Sequence, residues 1–480
     1  MEQRISRRRA LAGLAVSAGG AMLAAACGRS GSGAPAAATP HTGGTLRVAT
    51  ALPVEYGLDP HVERGAGLAI FPRVYGYTHH VDFENDDAIV LDQAASVEQP
   101  DALTTLIRLR PGVRFQDIAP VSGRAVTAHD VVASVLRYRD HQLVTDKLWH
   151  TSVLDRIEAA DDTTVRVLTR RPYVYSLQQL GDVSAGAIIP RELVDANADL
   201  RMSGVGSGPF SIDHADPDAR VWRLARNGAY FRAPLPYLDG MEWRVYDDDD
   251  AKLAAFATGK ADQVDNRDRP ESITTGAGAA HAVIDAHPSL AWLSLGLRID
   301  HPPFNDARFR HALDVAIDRD ALIRGLAPDD GMVLGPVNQH LARGFWSLPE
   351  SEVRAAFAVP GSGEVIRTDA ARQLLSAAGA GSASFTIQTV NTPRMIDVAS
   401  AIRQQLLAVG LDVRIDELDE VTWFANFRKG AFEATVISHA PYETPDMPSR
   451  LYHSSGVDGT ANQFGLHDSN IDMLIERSWG

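Results

Sequence analysis

The sequence predicts an α/β fold that is divided into two lobes. A chain of 480 residues is longer than one compact core usually holds. Its content of 45% hydrophobic and 22% charged residues is ordinary for globular proteins. Strand patterns dominate the first half, and strands alternate with helices after about residue 290. Because such alternation is typical of α/β architectures, we expect two α/β lobes that differ in strand content.

Residues 1–26 are predicted to be a bacterial export signal. A basic segment at residues 4–9 precedes a weakly apolar run that ends in small residues. The run is too short and too rich in glycine and serine for a permanent transmembrane helix. The segment also resembles a twin-arginine signal at Ser6-Arg7-Arg8-Arg9-Ala10-Leu11. Export by the twin-arginine route and export by the general route both stay open.

Cys27 is predicted to carry a lipid anchor. It is the only cysteine, and Leu23-Ala24-Ala25-Ala26 in front of it resembles a bacterial lipobox, in which the chain is cleaved directly before the lipidated cysteine. Residues 27–44 are rich in glycine, serine, alanine and proline, so we expect a flexible tether. A buried free cysteine is the alternative. A single cysteine excludes intrachain disulfides and thiolate zinc clusters.

The first half contains strand patterns with a period of two, which is typical of half-buried strands. They cover Thr45–Ala49, Thr104–Leu109, Thr164–Leu168, Val221–Leu224 and Met241–Tyr246. A helix is predicted to begin after Thr127, because Thr127 and Asp130 have the spacing of a capping box. Val131, Val135 and Tyr138 then lie on one face of this helix.

Helices and strands alternate in the second half. A helical pattern at Phe309–Ile317 has Asn305 or Asp306 as its expected cap. The remaining elements are a helix at Ala371–Ala378 between Thr368 and a C-cap at Gly379, a strand at Phe385–Val390, a helix from about Met395 to Val409 ended by Gly410, a strand at Leu411–Asp416, a helix at Trp423–Arg428 and a strand at Ala434–Ser438.

Three short motifs have a structural and a functional interpretation, and we favour the structural one. Gly204–Gly208 is similar to a phosphate-binding loop, but strand-like residues follow it where a helix is needed, so we expect a tight turn. The acidic run Asp247–Asp250 suits a helix start better than a calcium site. His79 and His80 lack a partner at metal-ligand spacing, so we expect a packed or surface pair.

Composition and motifs argue against nucleic-acid binding and known catalytic classes. The formal charge is −15, from 61 acidic and 46 basic residues. The sequence has no phosphate-binding P-loop, zinc-protease, nucleophile-elbow or EF-hand motif. We therefore predict no catalytic residue, no cofactor and no metal.

Further motifs follow one another in a specific order along the chain. They are Leu103–Phe115 with Gly123–Val132, Gly206-Ser207-Gly208-Pro209-Phe210, Leu224–Tyr230, Leu235–Asp239, and Pro302–Asp306 with Arg310–Leu313 and Ala316–Arg319. Together they resemble the family 5 extracellular solute-binding proteins, the lipid-anchored receptors of peptide and nickel ABC importers. Most of these residues, such as Arg226, Asn227, Tyr230 and Asp318, are expected to build the scaffold rather than to touch a ligand.

The resemblance implies a two-lobed, periplasmic-binding-protein-like α/β fold of the large cluster C type, with an extra subdomain in lobe one. We expect lobe one at residues 45–288, lobe two at 289–464, and a return to lobe one at 465–480. Crossings near 288–300 and 438–465 would form the hinge. The implied function is capture of a small, oligopeptide-like solute between the lobes and its delivery to ABC permease subunits with their ATPases, without chemistry. The implied protein is a monomer, exported and lipid-anchored at the outer face of the cytoplasmic membrane or in the periplasmic space.

Three loops are predicted to contact the solute, because loops that leave strand C-termini at a lobe interface bind small molecules. The predicted contacts are Tyr56, Leu58 and Asp59 after the first strand, Thr389, Asn391 and Arg394 after a lobe-two strand, and His439, Tyr442 and Glu443 after the strand Ala434–Ser438. Ordinary loop packing is the alternative for each residue.

The chain departs from the family pattern in three places. Pro441 stands where peptide-binding relatives commonly have an aspartate for the peptide amino group, so Glu443 is the candidate replacement. Arg298 stands near a usual asparagine on the strand between the lobes. Relatives continue for several tens of residues past Ile471–Glu476, so we expect a truncated sequence or an incomplete first lobe.

The sequence leaves the ligand open among peptides, nickel chelates, sugars and opines, which all occur among relatives. A secreted, lipid-anchored hydrolase acting on peptides or esters is the alternative function, and a sensor or chaperone is a third.

Overall fold

The computed structural model describes residues 40–52, 54, 57–63, 65–82, 88–144, 149–202, 204–264, 282–283, 291–326, 348–349, 351–352, 355, 364–439, 451–454 and 462–479. The strands are β1 (Thr45–Thr50), β2 (His79–Asp82), β3 (Ala88–Leu91), β4 (Ala94–Asp101), β5 (Thr104–Leu109), β6 (Leu154–Ala159), β7 (Thr164–Thr169), β8 (Phe210–Asp216), β9 (Val221–Arg226), β10 (Gly240–Val245), β11 (Gln263–Val264), β12 (Trp292–Leu297), β13 (Ser384–Val390), β14 (Asp412–Leu418) and β15 (Ala434–His439). The helices are α1 (Gly67–Val74), α2 (Ala128–Asp140), α3 (Ser176–Leu180), α4 (Arg191–Asp195), α5 (Asp249–Ala257), α6 (Ala307–Ala316), α7 (Arg319–Leu326), α8 (Glu364–Ala377), α9 (Pro393–Ala408), α10 (Glu420–Arg428) and α11 (Ser469–Arg477), with a π-helical turn at Trp149–Val153.

The described residues of the first half form two separate sheets and an additional pair of antiparallel strands. Sheet A has the order β11-β1-β10-β9-β8, with β1 parallel to β10 and β11 and antiparallel pairs beyond β10. Sheet B has the order β4-β5-β7-β6 and is antiparallel throughout, and β2 pairs with β3. Each sheet has its own core: Phe71, Trp222 and Trp243 pack on sheet A, whereas Trp149 and Val167 lie in the core of sheet B.

Sheet C belongs to the second half and has apolar residues on both faces. Its order is β12-β15-β13-β14, in which β13, β14 and β15 are parallel and β12 is antiparallel to β15. One face packs against α6, α8 and α9, with Phe309 and Leu406 fully buried. The other face carries Ile437, Trp423 of α10 and Phe464. A sheet covered on both faces is the arrangement that parallel strands require.

Most elements agree with the sequence analysis. The five strand patterns of the first half are strands, and Thr127 with Asp130 forms a capping box at the start of α2. Asp306, rather than Asn305, caps α6 by accepting from the backbone N–H of Arg308 at 2.8 Å. Asp248 caps α5 in the same way, accepting from Ala251 N at 2.8 Å.

Among the helices that differ from the expectation, α8 and α1 do so for identifiable reasons. Helix α8 begins at Glu364, one turn before Thr368, and Arg367 in this extra turn forms an ion pair with Asp318. Asp318 itself caps α7 by accepting from Ala321 N at 2.9 Å, as its scaffold role requires. Helix α1 was not predicted, because it contains Pro72, a residue that disfavours a helix interior.

The Gly204–Gly208 segment has a structural role, as predicted, but it is a bent, extended segment packed against the end of α1 rather than a tight turn. Gly208 N donates to Val74 O at 2.9 Å, and a Cβ at Gly206 would lie only 2.1 Å from the same carbonyl oxygen. Asn227 Nδ2 donates to Gly208 O at 2.8 Å, and Arg226 Nε donates to Leu238 O at 3.0 Å. The structure therefore confirms the scaffold role of Arg226 and Asn227.

The predicted signal, Cys27 and most of the tether lie outside the described residues. Within the described ranges, no helix combines the length and the apolar character that crossing a membrane requires. His79 is buried and its Nε2 donates to Leu177 O at 2.7 Å, while His80 is half-buried, so the pair is packed.

Gly206→Ala is expected to lower the free energy of unfolding by about 1–3 kcal/mol, because the new methyl group would clash with backbone atoms that cannot rotate away. Gly228→Ala is the matched control, since nothing lies within 4 Å of a Cβ there. Its effect should stay within about 0.5 kcal/mol. Urea denaturation of the three proteins measures both changes. Equal stability of the two variants would contradict the close packing of Gly206 on Val74.

Candidate functional site

Two of the three predicted loops leave sheet C at the same edge. Strands β13 and β15 are parallel neighbours, with Ile387 opposite Ala434, so their C-terminal ends lie side by side. Strand β12 is antiparallel to β15 and therefore begins at this edge with Trp292. The C-terminal edge of a parallel sheet is where α/β proteins bind small molecules.

His439 and Trp292 form a stacked pair at this edge. The two residues are opposite each other in the β12–β15 register, and their ring centroids lie 4.0 Å apart with an interplanar angle of 8°. His439 Nε2 lies 2.8 Å from Ser294 Oγ, and only 6% of His439 is exposed. Burial lowers the pKa of His439 to about 3. The imidazole is therefore neutral at physiological pH. Stacked on Trp292, it forms an aromatic platform that carries no charge.

The loop after β13 places its side chains at different depths. Thr389 is fully buried, and its hydroxyl donates to Val390 O at 3.4 Å. Asn391 N donates to Leu418 O at 2.8 Å, which fixes the loop against the end of β14, while its side chain is exposed. Arg394 is half-buried in the first turn of α9. Of the three predicted contacts in this loop, Asn391 and Arg394 are thus the two with exposed surface.

Leu58 and Asp59 are buried in contacts within the first half of the chain. The Asp59 carboxylate accepts two hydrogen bonds from Arg137 of α2, at 2.9 and 2.6 Å. Arg137 Nη1 also donates to His61 Nδ1 at 3.0 Å. Leu58 is only 1% exposed, and its carbonyl accepts from the Tyr75 hydroxyl at 2.9 Å. Both residues hold the loop after β1 against α2 and α1, and their role as solute contacts stays a prediction.

Burial and the Arg137 charge together hold the pKa of His61 well below its ordinary value. His61 is fully buried, and its ring meets Tyr138 edge-on at 5.4 Å. A neutral His61 can accept the Arg137 hydrogen bond, which a protonated ring cannot. Neutral His61 therefore accepts a hydrogen bond from Arg137 in addition to those that Asp59 accepts.

Arg298 lies at the opposite edge of sheet C from Trp292. It donates to both carboxylate oxygens of Asp300, at 2.9 and 2.6 Å, and to Gln463 O at 3.2 Å. Hydrogen bonds from Arg298 lower the pKa of Asp300 to about 2. This position makes Arg298 part of the packing between β12 and residues 462–466.

Three predicted contacts, Tyr56, Tyr442 and Glu443, lie outside the described residues, as does Pro441. Trp292 and Ser294 were missed by sequence reasoning, because their relation to His439 depends on strand register. A concavity of about 540 Å³ lies elsewhere on sheet C, and Thr386, Asp416, Phe432 and Glu433 are among its lining residues. None of the predicted contacts lines it.

Comparison with known proteins identifies the family to which this chain belongs. The family model described as Bacterial extracellular solute-binding proteins, family 5 Middle, matches residues 88–462, more than three quarters of the 480-residue chain. The chain therefore belongs to this family, as its motifs predicted.

One similar protein is named for binding glutathione. The glutathione-binding protein GsiB of Pectobacterium atrosepticum is 25% identical over 345 residues, which cover 70% of this chain and 62% of that protein. The chain thus matches less than two thirds of the length of this relative.

Solved structures confirm the periplasmic-binding-protein-like α/β fold. The binding protein DppA from Helicobacter pylori, in complex with the peptide STSA, is 21% identical with a TM-score of 0.74, covering 92% of this chain and 87% of that chain. MoaA from A. tumefaciens R10, in complex with mannopinic acid, is 23% identical with a TM-score of 0.73, covering 91% and 86%. Likeness at this level of identity establishes the fold, and the extra subdomain stays a prediction.

The neutral state of His439 has a measurable consequence for stability. Its folded pKa of about 3 lies below the ordinary value of 6.5, so its stabilising effect is complete above pH 6.5 and is lost as pH falls toward 3. Between pH 7.5 and 4.5 the wild type should lose about 2–3 kcal/mol more than His439→Phe, which keeps a ring on Trp292. Guanidinium denaturation at the two pH values checks this.

His214→Phe controls for the loss of a histidine, because His214 is half-exposed on β8 and lies outside the site. If His439→Phe has the same pH dependence as the wild type, the burial of a neutral imidazole at this edge is wrong.

Proposed function

We propose that the chain is the solute receptor of an ABC importer. It captures a small, oligopeptide-like solute between two lobes and delivers it to membrane permease subunits with their ATPases. The family match over residues 88–462 carries the proposal. The two-lobe division at residues 45–288, 289–464 and 465–480 is part of it, as is action as a monomer.

The proposed solute site is the edge of sheet C where β13 and β15 end. Trp292, which is half-buried, supplies apolar area, and the buried neutral imidazole of His439 stacked on it does not repel either charge sign. Asn391 and Arg394 supply a polar amide and a positive charge for solute oxygens. Tyr56, Tyr442 and Glu443 complete the proposed contact set, with Glu443 as the partner of a solute ammonium group.

We assign a supporting role to Leu58, Asp59 and Thr389: they fix the loops of the site in place rather than contact the solute. Each is buried, and Asp59 has both carboxylate oxygens bonded to Arg137. Breaking a buried ion pair on one side costs about 3–5 kcal/mol. We therefore assign Asp59 the role of fixing the loop that presents Tyr56.

The relatives define the first solutes to test. One is named for binding glutathione, and two solved neighbours hold the peptide STSA and mannopinic acid. Calorimetry with these three solutes and a mixed library of di- to pentapeptides should find binding by the full chain. Asn391→Ala should weaken that binding about tenfold, the effect of losing one hydrogen bond to a charged or polar group. Asn470→Ala, at an exposed asparagine on α11, is the matched control.

A solute with a free amino group gives a sharper test, because an unpaired ammonium in a dry cleft costs several kcal/mol. Glu443→Gln should abolish its binding. Binding that survives Glu443→Gln and is lost on N-acetylation would assign the amine to another acid. Absence of binding to every solute, together with turnover of peptide or ester substrates, would contradict the receptor proposal and favour the hydrolase.

We also propose that Cys27 carries the lipid that holds the exported protein at the outer face of the cytoplasmic membrane. The sole cysteine follows a basic, apolar and small-residue segment, and two acyl chains anchor stably because each buried methylene contributes about 0.8 kcal/mol.

Cys27→Ser should release the protein from the membrane fraction of its host, because the serine hydroxyl cannot take the place of the lipidated thiol. Fractionation followed by immunoblotting measures this, and Ser30→Ala in the tether is the matched control, which should stay with the membrane. Unchanged membrane retention of Cys27→Ser would contradict the lipid anchor.

A further inference from the structure

A C-terminal region, residues 451–454 and 462–479, is attached to sheet C. We call this region the strap. Phe464 O accepts from Ile299 N at 2.9 Å, and Leu451 and Phe464 are buried with Ile437 on one face of the sheet. A Cβ at Gly296 of β12 would lie 2.5 Å from the Phe464 ring, so ring and strand are in close contact. The strap is therefore fixed to β12.

The parts of the strap are also joined to one another. Ser454 N donates to Asp472 Oδ1 at 2.8 Å, and Asn462 Nδ2 donates to His453 O at 3.2 Å. His453 Nε2 lies 3.5 Å from Glu476 of α11. These contacts connect residues 451–454 with Asn462 and α11, so the parts of the strap form one packed unit.

The other end of the strap is buried in the core of sheet B. Ile475 and Trp479 belong to that core, and Trp479 is 3% exposed. Trp479 O accepts from Val174 N at 3.0 Å, in the segment that follows β7. The Arg171 guanidinium lies 4.4 Å from the centre of the Trp479 ring, a cation–π distance.

The Trp479 ring is held through its faces and not through its N–H group. His453 stacks on it at 5.9 Å, and Arg171 lies over it. Within the described part of the chain, Trp479 Nε1 has no hydrogen-bond partner. A phenylalanine can therefore replace the contacts of this tryptophan, whereas an alanine cannot.

We infer that the strap sets the orientation of sheet C relative to sheet B, and that Trp479 and Arg171 are the positioning residues of this contact. The inference rests on the proposed function in one respect: the orientation of the two sheets determines how far the solute site opens. Among the residues that the structure describes, no hydrogen bond or ring contact joins Trp479 or Arg171 to a proposed solute contact, so we expect them to act on capture through geometry.

Distances between spin labels in the full chain without solute test the inference. Labels are attached at Asp162→Cys in the β6–β7 turn and Arg414→Cys on β14, whose native side chains are 84% and 73% exposed. Cys27→Ser removes the native thiol. The parent protein should give one narrow distance distribution. Trp479→Ala should increase the ratio of displaced to parent distances about five- to thirtyfold, the range expected for loss of a buried aromatic and cation–π contact.

Two further variants give matched comparisons. Trp479→Phe should keep the parent distribution. Arg171→Ala should broaden it, whereas Arg170→Ala should not, because Arg170 bonds to Thr151 O at 2.9 Å and does not lie over Trp479.

A folded Trp479→Ala protein, shown by circular dichroism, with the parent distribution would overturn the inference. If Trp479→Ala does not fold, identical distributions for Arg171→Ala and Arg170→Ala would overturn it instead. No solute is added in this experiment, so it tests the role of the strap even if the chain binds none of the tested solutes. If the strap does not set the orientation of the two sheets, the receptor proposal is unaffected.

Discussion

The antiparallel pairing of β12 with β15 determines the geometry of the second half of the chain. It places Trp292 opposite His439 at one edge of sheet C. It also places Gly296 against the Phe464 ring, nearer the opposite edge of the sheet. A shift of one residue would turn every side chain of β12 to the opposite face. The aromatic platform and the attachment of the strap therefore depend on the same register.

A buried polar contact has the corresponding role in the first half. Asp59, Arg137 and neutral His61 connect the loop after β1 to α2, and nearly all of their polar surface is withdrawn from water. Such a group is costly to bury unless its partners are present, so the loop has one well-defined position. A solute receptor needs this property, because contacts that are fixed in advance reduce the entropy lost on binding.

Local signals in the sequence predicted many of the helices and strands, but they could not predict which distant residues pair. Thr127 and Asp130 of the capping box are three positions apart and could be recognised from spacing alone. Ser294 and His439 are 145 residues apart, and Asp59 and Arg137 are 78 apart. Alternating hydrophobicity contains no information about which strands become neighbours, so Trp292 could not be assigned to the site. The family resemblance predicted the fold. The packing contacts of Leu58 and Asp59 could be seen only in the structure.

We expect the two proposed lobes to close around a solute, and small-angle X-ray scattering measures such a closure. The radius of gyration is measured for the full chain alone and with saturating glutathione, STSA, mannopinic acid or the peptide library. Hinge closure is the expected response of a two-lobed binding protein. We expect a smaller radius of gyration with the solute that calorimetry shows to bind. An unchanged radius at saturation with a bound solute would contradict a closing cleft.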